Sequence, residues 1–224
     1  MEKAIIFDSG TLITLSMNDL LEMLRKLKQN FGGKFIITRE VEEEIVTKPM
    51  KIKKFKLGAI RLKNLIEDKT LEFPDVFDIS QNEISKIANS ILKDANAMFI
   101  AQKRPVHIID LGEASIMALS KLLRNKKIAN LIAMDERTTR MLCEKPQNLE
   151  RLLSKKLHMK IIQQKQGNRD FYRGDFIRST ELIFIAYKKG ILPKNKDLLD
   201  AMLYAAKFKG AAISSDEIKI MERL

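Results

Sequence analysis

Two short, mostly apolar runs lie far apart in the chain, and each stops at an aspartate. Ala4-Ile5-Ile6-Phe7 precedes Asp8, and Ile128 to Met134 precedes Asp135. Runs this short and this apolar read as buried strands. Longer stretches with helical spacing alternate with them: Leu20, Leu24 and Leu27; Ile84, Ile87, Ala88, Ile91, Leu92, Ala95 and Met98; Ile116, Leu119, Leu122 and Leu123. Strands alternating with helices predict an α/β fold in three α/β/α layers around a central parallel sheet. In such sheets, sites form at the carboxyl ends of the strands. Asp8 and Asp135 each follow a strand, so two acids distant in sequence can meet there.

Local signals divide the rest of the chain. Asn18 or Asp19 is suited to cap a helix running to about 30, closed by Gly32-Gly33. Phe35-Ile36-Ile37 reads as a second strand. Thr38 caps a helix carrying Val41 and Ile45, which Pro49 ends. Lys51 to Lys69 reads as a basic helix interrupted near Gly58, Phe73 to Ile79 as extended, and Glu83 to Gln102 as one long helix. Asp110 opens the next helix, Arg137 to Cys143 forms a short one, and Lys160 to Gln163 reads as the last strand. From Asp175 the pattern is helical to Lys189, again from Asp197 to Lys209, and once more after Ser214-Ser215, with Gly190 and Gly210 as stops. The expected organisation is a core over 1–165 with a basic helical insertion at about 50–106. A C-terminal helical hairpin with a short closing helix follows over 166–224, docked on the core or serving a partner.

Composition narrows the chemistry. Hydrophobic residues make up 45% of the chain, enough for a sizeable core. No apolar run reaches the roughly 18 residues that a membrane helix needs, and the start lacks a signal-peptide layout, so a cytoplasmic protein is expected. One cysteine, Cys143, and two histidines without metal-ligand spacing, His107 and His158, argue against a zinc site or a Ser-His-Asp hydrolase. A metal here would have oxygen ligands, which favours magnesium or manganese. The net charge of +12 suits a polyanionic partner, and equally suits a lysine-rich surface of thermophilic type.

Four acids lie beside apolar segments: Asp8, Glu44, Glu113 and Asp135. An unpaired buried carboxylate costs several kcal/mol or takes up a proton, so four that converge call for cations between them. Each also has a plainer reading. Asp8-Ser9-Gly10 is turn chemistry, and Asp135 can cap the following helix. Asp110-Leu111-Gly112-Glu113 matches a capping box. Glu44 shares its helix with Glu40, Glu42 and Glu43. At about 100° per residue Glu44 lies beside Val41 and Glu43 points nearly opposite, with Glu42 as the alternative.

Taken in order, Ile5-Ile6-Phe7-Asp8-Ser9, Thr38-Arg39-Glu40-Val41-Glu42-Glu43-Glu44-Ile45, Asp110-Leu111-Gly112-Glu113-Ala114 and Ile132-Ala133-Met134-Asp135-Glu136 resemble a PIN domain over roughly 1–165. Asp135-Glu136-Arg137 with Arg140, and Gly190-Ile191-Leu192-Pro193 before Asp197-Leu198-Leu199, are similar to a prokaryotic, VapC-like branch. The resemblance implies a ribonuclease using magnesium or manganese held by Asp8, Glu113 and Asp135, with Glu44 as fourth ligand. It also implies that Ser9 holds the Asp8 carboxylate by a hydrogen bond and that Asp110 assists or only caps. RNA is the implied substrate. An antitoxin or ribosomal-assembly partner, or a second copy of the chain, is the implied protein partner. The stretch from Lys51 to Val106 exceeds that of compact toxins.

Ile6-Phe7-Asp8-Ser9-Gly10-Thr11 also resembles a haloacid-dehalogenase motif, but Gly10 stands where the proton-donating Asp belongs. A non-catalytic RNA-binding or assembly module is the other alternative. For nucleic acid, the basic stretch 48–69 has eight Lys or Arg against two acids, including Lys51, Lys53, Lys54 and Lys56. Arg137 and Arg140 sit beside Asp135 and are suited to phosphate or to pairing with Glu136 and Glu144. Arg169 and Arg173 flank Phe171 and Tyr172, a mixture that can stack bases or simply pack.

Overall fold

The computed structural model describes residues 2–223. The first half runs β1 (Lys3–Phe7), α1 (Ser9–Met17), α2 (Leu21–Phe31), β2 (Lys34–Ile36), α3 (Arg39–Glu42) continuing into a π-turn (Glu43–Thr47), α4 (Lys56–Glu67), α5 (Gln81–Ala95) and the β3 (Phe99–Ala101)–β4 (Arg104–Pro105) hairpin. Then come α6 (Leu111–Asn125), β5 (Ala129–Ala133), α7 (Arg137–Glu144), α8 (Leu149–Leu157), β6 (Ile162–Gln163), β7 (Phe176–Ile177), α9 (Ser179–Lys188), α10 (Lys196–Lys209) and α11 (Ser215–Arg223). The fold is α/β around a parallel four-stranded sheet of order β2-β1-β5-β7.

That order fixes the place of the site. From β1 the chain moves outward to β2, then returns past β1 to β5 on the other side. The switch point therefore lies between β1 and β5, which pair in register from Lys3↔Ala129 to Phe7↔Ala133. The ladder continues one step further, because the Asp8 amide donates to the Ala133 carbonyl at 2.9 Å. Asp8 and Asp135 thus leave neighbouring strands at the same end of the sheet.

Several elements differ from expectation. Residues Ser9–Met17 form a helix, which the turn-like Asp-Ser-Gly start and the lack of a polar face conceal. The helix after it has Leu20, not Asn18 or Asp19, at its cap; Asn18 instead closes α1, and Asp19 takes a left-handed φ of 59°. Helix α4 runs through Gly58 unbroken, since Ala59, Leu62 and Leu65 bury one face. Pro74 starts a 3-10 turn, so 73–79 is not extended. Helix α5 ends at Ala95 because the Asn96 side chain turns to the next segment, accepting from the Ile108 amide at 2.6 Å and donating to the Ile109 carbonyl at 3.0 Å. The chain then makes a tight hairpin, with positive φ at Gln102 and Lys103. Ile162–Gln163 joins this hairpin antiparallel and is not in the main sheet.

The fourth strand of the main sheet comes from the tail. Phe176–Ile177, expected to be helical, pairs with β5, and α9 starts only at Ser179. No break therefore falls at 165: tail residues such as Ile183 and Leu203 share one hydrophobic core with Ile6 and Phe35. The 50–106 insertion is also part of that body. The Glu72 amide and carbonyl bond to Phe35 and Ile37 and extend the sheet edge beyond β2. The α9–α10 hairpin and closing α11 are as expected. Among the described residues, no helix is long and apolar enough to cross a membrane.

Candidate metal centre

Asp8, Glu44, Glu113 and Asp135 line one pocket of about 300 Å³, with Ser9, Asp110 and Glu136 also on its wall. Each acid is delivered by a different element. Asp8 follows β1 and caps α1, its Oδ2 accepting from the Gly10 amide at 3.1 Å. This replaces the expected Ser9 hydroxyl bond: a cap faces the helix's own free amides, and among the described residues Ser9 makes no side-chain bond to Asp8. A Cβ at position 10 would come within 3.1 Å of that carboxylate oxygen. The glycine that breaks the haloacid-dehalogenase pattern therefore serves Asp8 instead.

Asp135 is not a cap. Glu136 takes that place, accepting from the Thr139 amide at 2.7 Å. The Asp135 side chain is free to enter the pocket, is only 3% exposed, and accepts from the Ser179 amide at 2.8 Å through Oδ1. Its Oδ2 is buried without a well-aligned hydrogen bond, although the Ser179 and Thr14 hydroxyls lie close enough to favour the charged form.

Glu113 is in a capping box and in the pocket at once. Oε2 accepts from the Asp110 amide at 2.7 Å, and Oε1 accepts from the Thr139 hydroxyl at 2.8 Å. Asp110 itself is exposed at the pocket mouth and bonds to His107 Nε2 at 2.7 Å. Its carboxylate belongs to the surface more than to the cluster.

Glu44 enters through the π-turn. The extra residue in that turn, closed by the Lys48 amide on the Glu43 carbonyl at 2.9 Å, changes which side chain faces inward. Glu42 stays outside, paired with Arg39 at 3.0 Å. The Glu44 carboxylate rests against Gly112, where a Cβ would come within 2.6 Å of Oε1. A buried relay holds the two segments together. The Ser115 hydroxyl donates to the Gly112 carbonyl at 2.6 Å, so the Thr38 hydroxyl must be the donor in its 2.7 Å bond to Ser115.

The electrostatics follow from burial. Removal from water, then the nearby Glu113 and Glu44, push Asp8 up to about 8 despite its amide bonds. Burial raises Glu113 to about 7 against its two donors. Burial also raises Asp135, opposed by the Ser179 amide and by the Ser179 and Thr14 hydroxyls. Without a cation, Asp8 and Glu113 stay partly protonated near neutral pH. Among the described residues, no three ligating groups stand as a finished metal shell. Asp8, Glu113 and Asp135 each accept from a protein donor instead, while the Glu44 carboxylate lies against Gly112. The donor set still fits a hard divalent cation: it is all oxygen, it converges from four elements, and it includes the unsatisfied Asp135 Oδ2.

The basic residues divide. Arg137 and Arg140, beside the pocket, line an adjoining cleft with Lys145 and Lys207, although Arg140 also pairs with Glu144 at 3.1 Å. Lys51, Lys53, Lys54 and Lys56 are exposed on the segment after the π-turn but do not line the acid pocket. Arg169 and Arg173 do not line it and instead share another cleft with Met98, Cys143 and Gln163. Arg173 borders a cleft with Lys3, Ala129 and Asp175, where the strands begin, at the opposite end of the sheet. Tyr172 is buried and donates to Asp94 at 2.8 Å, with Phe171 edge-on to it, so these rings pack. Thr139, the Ser179 amide, Gly112 and Lys209 have no signal of their own in the sequence, although Gly112 lies inside the Asp-Leu-Gly-Glu motif.

No known protein family, curated protein or solved structure matches the chain.

Proposed function

We propose that the chain is a metal-dependent endoribonuclease with a PIN-like, three-layer core, acting in RNA processing or as a toxin. The observation that carries this reading is the convergence of Asp8, Glu44, Glu113 and Asp135 on one pocket at the switch point. Four carboxylates on one pocket, with Asp8 and Asp135 buried, are a poor arrangement for stability and a good one for binding magnesium or manganese. Asp8 and Asp135, fixed at the ends of adjacent strands, would be the rigid ligands; Glu113, turning from its protein donors, and Glu44 would complete the shell. Bound divalent metal would lower the pKa of a water molecule and offset charge on the phosphate.

The chain's own residues orient and exclude. The Gly10 and Ser179 amides aim Asp8 and Asp135, Thr139 aims Glu113, and the π-turn aims Glu44. Hydrolysis then joins water oxygen to phosphorus and breaks the ester P–O bond, and the departing sugar oxygen gains a proton. RNA as substrate comes from the family resemblance and from the +12 charge.

The test is cleavage of an end-labelled single-stranded RNA with manganese, magnesium or EDTA. Wild type should cut only with metal, and Asp8→Asn should not cut. Equal cutting by a clean Asp8→Asn preparation would overturn the proposal.

A further inference from the structure

The carboxyl end of α10 has features that neither its packing nor the acid cluster requires. Lys209 and Gly210 line the acid pocket beside Asp8 and Glu113. Lys209 is exposed and, among the described residues, has no ion pair or hydrogen bond. Among nearby cations Arg140 pairs with Glu144, Lys156 with Glu136 and Lys207 with Ser215, whereas Arg137, like Lys209, makes no ion pair among the described residues. Next to Lys209, Phe208 is 82% exposed, above every other exposed large apolar side chain of the described residues. Leu199, Leu203 and Ala206 supply the buried face of α10, so Phe208 has no role in the core. Its ring is supported from behind by Tyr204, at 6.2 Å between centroids and 33° between planes.

The segment is anchored as well as exposed. Gly210, at φ 130°, turns the chain out of the helix, and the Ala212 amide then donates to the Asp135 carbonyl at 3.2 Å. The ridge is therefore fixed to the backbone of a proposed metal ligand. On its other side lies a cleft of about 590 Å³ with Arg137, Arg140, Lys145 and Lys207 on its walls. Arg140 Nε is buried there without a hydrogen-bond partner. An acid pocket repels phosphate. A cation on its rim, and a cationic cleft one step further, provide the path by which a phosphodiester approaches.

We infer that Lys209, on the rim of the acid pocket, and Phe208, the residue before it on α10, form a substrate-binding wall beside the pocket and select an unpaired nucleic-acid strand. Phe208 stacks a base next to the cleaved bond, Lys209 holds that nucleotide's phosphate, and the strand continues into the Arg137–Arg140 cleft. A base inside a duplex has no free face for Phe208, so pairing prevents the contact. This assignment rests on the nuclease reading, but it makes a binding prediction separate from turnover.

The experiment is fluorescence anisotropy in EDTA, using a labelled single-stranded oligoribonucleotide and its blunt duplex. Wild type should prefer the single strand. Phe208→Ala should weaken that binding about tenfold and leave duplex binding unchanged, while Phe208→Tyr should restore it. Lys209→Ala should reduce the slope of log affinity against log salt by about 0.7, the value for one phosphate contact on a single strand. Equal single-strand binding by wild type and Phe208→Ala, a preference for duplex, or no binding by wild type would each overturn the inference. A wild type that binds as expected yet never cuts in manganese or magnesium would remove the nuclease reading and leave the wall. A wild type that cuts while Phe208→Ala binds unchanged would do the reverse.

Discussion

Helices α5, α6 and α11 begin with the same local device, an N-cap whose amide is held by a glutamate three residues on. The pairs are Ser80 with Glu83, Asp110 with Glu113, and Ser214 with Glu217, with amide-to-carboxylate distances of 2.9, 2.7 and 2.8 Å. Their electrostatics are opposite. The Ser80 hydroxyl and amide hold Glu83 below its ordinary range. Burial works against Glu217, but the Ser214 amide and the Arg178 guanidinium outweigh it and hold the acid at about 2. At Glu113 burial prevails and lifts the acid to about 7. The hydrogen bonds of a capping box are therefore not what distinguishes structure from chemistry. What does is whether the second carboxylate oxygen meets solvent and a cation, or a dry pocket already holding Asp8.

Substitutions can break that contrast. Asp8→Asn or Asp135→Asn should reduce metal-dependent cleavage by more than the roughly 100-fold that outer-shell changes cost, measured in single turnover. Thr139→Val, which removes a donor from Glu113, and Gly112→Ala, which displaces the Glu44 carboxylate, should each cost about 10- to 100-fold in metal affinity or rate, read by manganese titration. Thr139→Val without effect on either would place Glu113 with Glu83 and Glu217 as a helix cap alone.

Stability should depend on pH in the direction the pocket sets. Asp8 binds its proton up to about pH 8 when folded but only to about 3.8 when unfolded, and Glu113 to about 7 against 4.5. The folded state thus holds extra protons. Its stabilising effect is complete below the unfolded values and is lost as pH rises through about 7 to 8. Urea unfolding without metal should show wild type losing on the order of a few kcal/mol between pH 5 and 8. Asp8→Asn should flatten that loss, and saturating manganese should offset it. A metal-free protein that gains stability over this range would contradict the burial of these acids. The smallest effect is expected at the control site: Ser80→Ala should cost about 1 kcal/mol of stability and leave cleavage unchanged.

Much of the site was legible because its acids stand at strand ends, where an apolar run makes the position plain: Asp8 after Phe7, Asp135 after Met134. The Asp110–Glu113 box was legible as a motif, but its dual role depends on Thr139 and Asp8, which only the fold brings near. Glu44 over Glu42 was reached by helical periodicity, yet the element is a π-turn whose extra residue a regular period does not contain. Helix α1 was hidden because Ser9, Gly10 and Thr11 favour turns and its later residues show no polar face. Strand β7 was hidden by its length, since two residues carry no alternation. Arg169 and Arg173 lie outside the acid pocket, because charge along the sequence does not indicate which end of a sheet it reaches.

The most direct measurement is anomalous diffraction from crystals soaked in manganese. The account predicts a peak within coordination distance of Asp8 and Asp135, with Glu113 or Glu44 turned toward it, and no peak in Asp8→Asn crystals. Manganese bound elsewhere on the surface, with Asp135 Oδ2 still unpartnered in a pocket that takes up no ion, would contradict it.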